Sequence, residues 1–192
     1  MMGAIEKFFK GLTEDKSDDG NAIDMLKADH RRVKELVHDF ERAQSGAEKQ
    51  KLLNTIIKEL TVHTVLEEEF VYPILDKLDH DGSEEAVEEH HVVKLVLEEL
   101  SNMSAEAETV ATKVKVLWEM VQHHIKEEET DLLPKVKWSG EDMQELGKRM
   151  AERKQQLTRP LPVRSKVARS APKAKAKSAP RRKTPTTRRK AS

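Results

Sequence analysis

Apolar residues recur at alternating steps of three and four through most of residues 22–136, which is the period of helices that bury one face. The pattern predicts helices over roughly 22–44, 47–78, 84–102 and 105–136, joined at Ser45-Gly46, at 79–83 and at Met103-Ser104. Connections that short force neighbouring helices to run antiparallel. A fifth helix is predicted over 140–157, where Ser139 followed three residues later by Asp142 offers a cap of the capping-box kind. Strand signals are absent, since Asp81-Gly82 falls between two helical patterns rather than between alternating runs. The expected fold is all-α: an antiparallel up-down four-helix bundle over 21–157, closed by the C-terminal helix. Ahead of it, Ile5, Phe8, Phe9 and Leu12 predict a short amphipathic helix and hinge within residues 1–20.

The buried stripes are not wholly apolar. The first helix turns Ile23, Leu26, His30, Val33, Val37 and Phe40 inward, and the second Leu53, Ile56, Leu60, His63, Glu67, Phe70 and Ile74. The third offers Ala86, His90, Val93, Leu97 and Leu100, and the fourth Val110, Val114, Leu117, Val121, His124 and Glu128. Each stripe carries one His, followed on two helices by a Glu four residues later. A His and a Glu at that spacing project from one side of a helix, one turn apart, so both can reach a single ion. Left unpaired in a low-dielectric core, each carboxylate would cost several kcal/mol.

These positions form a matched set. His30 and His90 are 60 residues apart, while His63 and His124, Glu67 and Glu128, and Pro73 and Pro134 are each 61 apart. The chain is therefore an internal repeat of a helix pair. A pseudo-twofold arrangement would give each of two ions a pair of histidines, with the glutamates between them. The candidate metal ligands are His30, His63, Glu67, His90, His124 and Glu128. Imidazole and carboxylate without sulfur suit iron first, manganese or zinc less well. His91 and His123 point about 100° off the stripe and are expected as outer groups, and His38 and His80 as solvated ones. Tyr72 is expected to pack near the end of its helix, with a redox or gating role as the other reading. Pro73 and Pro134 should bend or end their helices. The Glu runs 67–69 and 127–129 are otherwise expected on solvated faces. A ferritin-like site would need equivalent Glu-x-x-His pairs. Those at Glu35-His38 and Glu88-His91 are not equivalent and leave the inward histidines unexplained.

Charge divides the chain. From Arg153 onward there are 15 Lys or Arg and no Asp or Glu, whereas residues 1–152 hold 20 basic against 35 acidic residues. An acidic domain thus carries a basic tail over 158–192, rich in Pro and free of aromatic residues. Such a composition is expected to be disordered and to bind DNA or RNA phosphates without reading sequence. There is no cysteine, which excludes disulfides, iron–sulfur clusters and thiol catalysis. No stretch approaches the ~20 apolar residues of a membrane span, and the N-terminus lacks the pattern of a secretory signal. The expectation is a cytoplasmic protein, monomeric or weakly self-associating.

The motifs Asp29-His30, HTVLEEEFVYP (63–73), Glu89-His90 and HIKEEETDLLP (124–134) together resemble the hemerythrin-like, or HHE cation-binding, domain family over about 22–137. The resemblance implies a non-haem di-iron site that binds, senses or reduces dioxygen, peroxide or nitric oxide, or that responds to iron. A structural metal site in a nucleic-acid-associated protein is the alternative. Oxygen-carrying members place a fifth histidine one turn after the third-helix ligand, where this chain has Lys94. An ammonium cannot ligate iron. Water, Glu68, Glu129 or substrate would fill that position, and reversible oxygen carriage gives way to sensing or redox chemistry.

Overall fold

The computed structural model describes residues 20–159; the expected N-terminal helix and nearly all of the basic tail lie outside the described residues. Helix α1 (Ala22–Arg42) starts where the Asn21 side chain accepts from the Asp24 backbone N–H. Helix α2 (Gly46–Leu66) starts where Ser45 accepts from Glu48 in the same way. These side chains satisfy donors that a helix N-terminus leaves free. Helix α4 (His80–Ser101) is capped by Asp79, and α5 (Val110–Glu127) begins five residues later than its apolar period predicts. The delay has a local cause: Gln50 on α2 accepts the Ala105 backbone N–H at 2.8 Å, which pins the connection to the neighbouring helix. Helix α1 packs on α2, α2 on α4, α4 on α5 and α5 back on α1, which closes the bundle. The fold is all-α, and no strand occurs among the described residues. None of the described helices is long and apolar enough to cross a membrane.

The second and fourth helices do not run through as single α-helices. Each passes into a π-helical turn, Glu67–Val71 and Glu128–Leu132, before short helices α3 (Tyr72–Leu75) and α6 (Leu133–Lys137). The Tyr72 and Leu133 backbone N–H groups bond five residues back, to the carbonyls of Glu67 and Glu128. Pro73 and Pro134 explain the widening, because a proline ring inside an α-helix clashes with the carbonyl four residues earlier and donates no bond. An extra residue in the turn relieves that clash. The expected bend is thus a one-residue insertion in register.

Helix α7 (Met143–Thr158) lies against α1 and α2. Its cap is Asp142, which accepts from Gln144 and Glu145, rather than Ser139. Gly147 allows the close seat, since a Cβ there would stand 2.1 Å from the Gly20 carbonyl oxygen.

Apolar side chains form two clusters. One contains Leu26, Leu66, Ala86 and Leu132; the other contains Val33, Leu60, Val93 and Val121. Along each long helix, continued for α5 by its π-turn, the stripe histidine falls between a residue of one cluster and a residue of the other. The polar layer is therefore enclosed by hydrocarbon on both sides along the bundle axis.

Candidate metal centre

The structure brings all six stripe residues together. His30, His63, His90 and His124 are buried, and Glu67 and Glu128 have no exposed surface at all. The two repeats meet with their Nε2 atoms inward. Those of His30 and His63 are 3.2 Å apart, and those of His90 and His124 are 3.0 Å apart. Glu67 stands between the pairs, with Oε2 at 3.0 Å from His63 Nε2 and 3.4 Å from His90 Nε2. Glu128 does the same from the other repeat, Oε2 at 3.3 Å from His30 Nε2 and Oε1 at 3.5 Å from His124 Nε2.

Among the six stripe residues two donor groups emerge whose ligand atoms all lie within 4.8 Å of one another: His30, His63, Glu67 and Glu128, and Glu67, His90 and His124. Both Glu67 oxygens and Glu128 Oε2 are buried with no hydrogen-bond partner. Unsatisfied carboxylate oxygens in such a setting are costly. A pair of cations fits this donor set, since it would satisfy those oxygens and the facing nitrogens at once.

The outward edges of the imidazoles explain the charge runs. His30 Nδ1 donates to Glu129 at 2.8 Å, His90 Nδ1 to Glu68 at 3.0 Å and His124 Nδ1 to Glu89 at 2.6 Å. His63 Nδ1 faces Asp29 at 3.9 Å. Carboxylates placed this way fix the ring orientation and raise the basicity of the metal-facing nitrogen. Glu68 and Glu129 therefore do not fill the position that Lys94 vacates. Lys94 itself reaches Glu68 Oε1 at 2.5 Å and holds that anchor from outside. The four anchors were hidden among charged residues, yet their spacing carried a signal: 29 to 89 and 68 to 129 repeat the ligand intervals of 60 and 61.

Tyr72 stands inside the site, not beside it. Its hydroxyl donates to Glu128 Oε1 at 3.1 Å and lies 3.0 and 3.3 Å from the Nε2 atoms of His90 and His124. Burial and the Glu67 and Glu128 carboxylates raise its pKa well above the usual phenol value. Its counterpart in the second repeat is Leu133, which is also buried. The two ends of the centre are therefore chemically unequal. His38, His80, His91 and His123 are all exposed; among them His123 lies 3.3 Å from Glu127 on the outer face.

Without a metal, the carboxylates around His63 and His124 favour their protonated forms. Burial alone would lower His63, but Glu67, Asp29 and Glu128 outweigh it and push it up to about 10. His124 is raised above its ordinary value against the same burial, chiefly through Glu89 and then Glu128 and Glu67. His63 should be cationic at neutral pH in the metal-free chain, and ligation must displace that proton. Adding a divalent metal to metal-free protein in weak buffer at pH 7 should acidify the solution, and apparent affinity should rise with pH up to about 10. Stability of the metal-free chain runs the other way. A raised imidazole stabilises the fold fully below its ordinary value of 6.5, and the contribution disappears as pH climbs through about 10. A pH-independent affinity would contradict this assignment.

Comparison with known proteins decides the family. The model of the hemerythrin HHE cation binding domain matches residues 21–136. The chain belongs to that family. An uncharacterized hemerythrin-like protein of Schizosaccharomyces pombe is 31% identical over 115 residues, 58% of this chain and 57% of that protein. A protein of Nostoc sp. named as a DNA nickase is 28% identical over 120 residues, 62% of this chain but 34% of its own length. The hemerythrin-like chain thus spans only part of both curated relatives. The crystal structure of a hemerythrin HHE cation binding domain-containing protein from Mycobacterium kansasii superposes with a TM-score of 0.62 at 27% identity, covering 71% of this chain and 86% of that one. Helix α7 lies beyond the residues that the family model matches.

Proposed function

We propose that this hemerythrin-like chain is a non-haem di-iron protein that binds, senses or reduces dioxygen, peroxide or nitric oxide. The observation that carries the reading is the buried set of facing Nε2 atoms and partnerless Glu67 and Glu128 oxygens. His30, His63, His90, His124, Glu67 and Glu128 would hold the ions, which when bound supply reversible electron transfer to a small ligand. The chain's own residues do the rest. Glu129, Glu68 and Glu89 orient the rings of His30, His90 and His124. Val33, Leu60, Thr64, Val93, Val121 and Ile125, together with the four histidines, line a cavity of about 10 Å³ beside the centre, which is room for about one water-sized molecule. A space that small and apolar favours a molecule of two or three atoms over an organic substrate. Tyr72 offers a hydroxyl at one end of the centre only.

The test is spectroscopic. Protein loaded with ferrous iron without air should gain visible absorption on adding oxygen or peroxide, and its absence would remove the redox reading. A second reading has its own support, the 13 Lys or Arg that follow Thr158 with no Asp or Glu among them and the likeness to a protein named as a DNA nickase. On that reading the metal stabilises the bundle and the tail holds nucleic acid through phosphate contacts. Deleting 160–192 should then weaken DNA binding by at least tenfold at low salt and flatten its salt dependence. Equal affinity of the two chains would reject it.

A further inference from the structure

The four imidazole anchors are not equivalent. Three Nδ1 atoms reach a carboxylate at 2.6 to 3.0 Å, whereas His63 Nδ1 stands 3.9 Å from Asp29 and is buried without a hydrogen-bond partner. In the second repeat the corresponding contact, Glu89 to His124, is the shortest of the set. Asp29 is engaged elsewhere: Lys154 on α7 donates to its other oxygen. The same helix is fixed in place on this side of the bundle. Arg153 forms two 2.7 Å bonds with Glu69, Arg149 lies 5.3 Å from the Phe70 ring centre, and Gly147 lets the helix backbone approach Gly20. Independently, the hydroxyl of Tyr72 lies at the His90 and His124 end, while Leu133 takes its place in the other repeat.

On the two-ion reading of the site, we propose that Lys154 is a positioning residue that draws Asp29 away from His63, so that the ion held by His30 and His63 is the more readily released of the two. An imidazole whose outer N–H lacks a carboxylate partner is freer to turn and so holds an ion less firmly. The ion at the other end keeps both short anchors and has the Tyr72 oxygen beside it. Helix α7, which lies outside the family match, thereby sets an inequality between two positions that the repeat would otherwise make alike. The chain is built to keep one ion and exchange the other, as a protein responding to metal availability requires.

Release to excess chelator tests this in the full-length protein. Wild type loaded with two equivalents of ferrous iron under anaerobic conditions should lose one equivalent quickly and one slowly. Lys154→Met should free Asp29 to accept from His63 and slow the fast equivalent by about tenfold or more, leaving the slow one unchanged. Lys154→Arg, which keeps the cation, should behave as wild type. Asp29→Glu, one methylene longer, should slow the same phase and shows that the readout responds to this contact. A Lys154→Met protein that releases the fast equivalent at the wild-type rate or faster, or that changes both phases alike, overturns the proposal. Nitrogen-15 NMR of the metal-free chain separates this outcome from failure of the two-ion reading. The His63 Nδ1 proton should gain a hydrogen bond in Lys154→Met whether or not metal binds, and an unchanged signal also overturns the proposal. A chain that takes up fewer than two ions but shows that NMR change refutes the two-ion reading alone.

Discussion

Stripping the metal from this protein should lower its melting temperature by about 10 °C, and Glu67→Gln should abolish the difference between the loaded and stripped forms. The magnitude follows from linkage. A ligand present at about a thousandfold excess over its dissociation constant stabilises the folded state by roughly 4 kcal/mol. Each kcal/mol moves the midpoint of a domain of this size by about 2–4 °C. Glu67 is the substitution of choice because it belongs to both donor groups, has no exposed surface and has two oxygens that no protein donor satisfies. Glutamine keeps the shape and removes the charge, so packing between the two apolar clusters survives while the ions lose their shared carboxylate. Metal content should fall below two per chain, and Glu128→Gln should act in the same direction. His91→Ala, at an exposed neighbour of His90, should leave both content and melting shift intact. The assignment is lost if Glu67→Gln retains two ions and the full shift, or if His91→Ala behaves like it.

The four buried stripes were legible because burial follows the 3.6 period closely wherever the helices are α-helical. His30, His63, His90 and His124 sit at expected inward positions, and all are buried. Legibility failed just past Glu67. The period turns Phe70 inward, but the structure leaves it half-buried and encloses Val71 and Tyr72 instead. In an α-helix Tyr72 would stand about 140° away from Glu67. The π-turn, bonded five residues back, carries it onto the same side. A hydrophobic period does not register a one-residue insertion in hydrogen bonding, although the paired prolines marked where it falls. The acidic runs were opaque for a different reason. Glu67, Glu68 and Glu69 look alike in sequence, but about 100° of helix rotation per residue sends them to different destinations. Glu67 enters the centre, Glu68 meets His90 and Lys94, and Glu69 pairs with Arg153. Only the tertiary partners distinguish ligand, anchor and surface ion pair.

Tyr72→Phe should leave two ions bound but remove a visible absorption band from the ferric protein. The phenol oxygen lies within 3.3 Å of both His90 and His124 Nε2, where an ion held by those nitrogens would be within its reach. In the metal-free chain the hydroxyl is kept neutral by burial and by the two carboxylates. Cations placed between those carboxylates reverse the sign of the local field and favour the phenolate. A phenolate on ferric iron is coloured, and phenylalanine cannot supply it. The substitution also removes a buried donor from Glu128, at a cost of about 1–3 kcal/mol in the metal-free fold, so melting should fall modestly while helix content stays the same. The position that Tyr72 occupies would open to outside ligands in the variant, and small anions such as azide should bind the ferric variant more tightly than wild type. An identical ferric spectrum in the two proteins, each carrying two irons, would place Tyr72 outside the coordination sphere. In that case the asymmetry between the two ends of the centre rests on the histidine anchors alone.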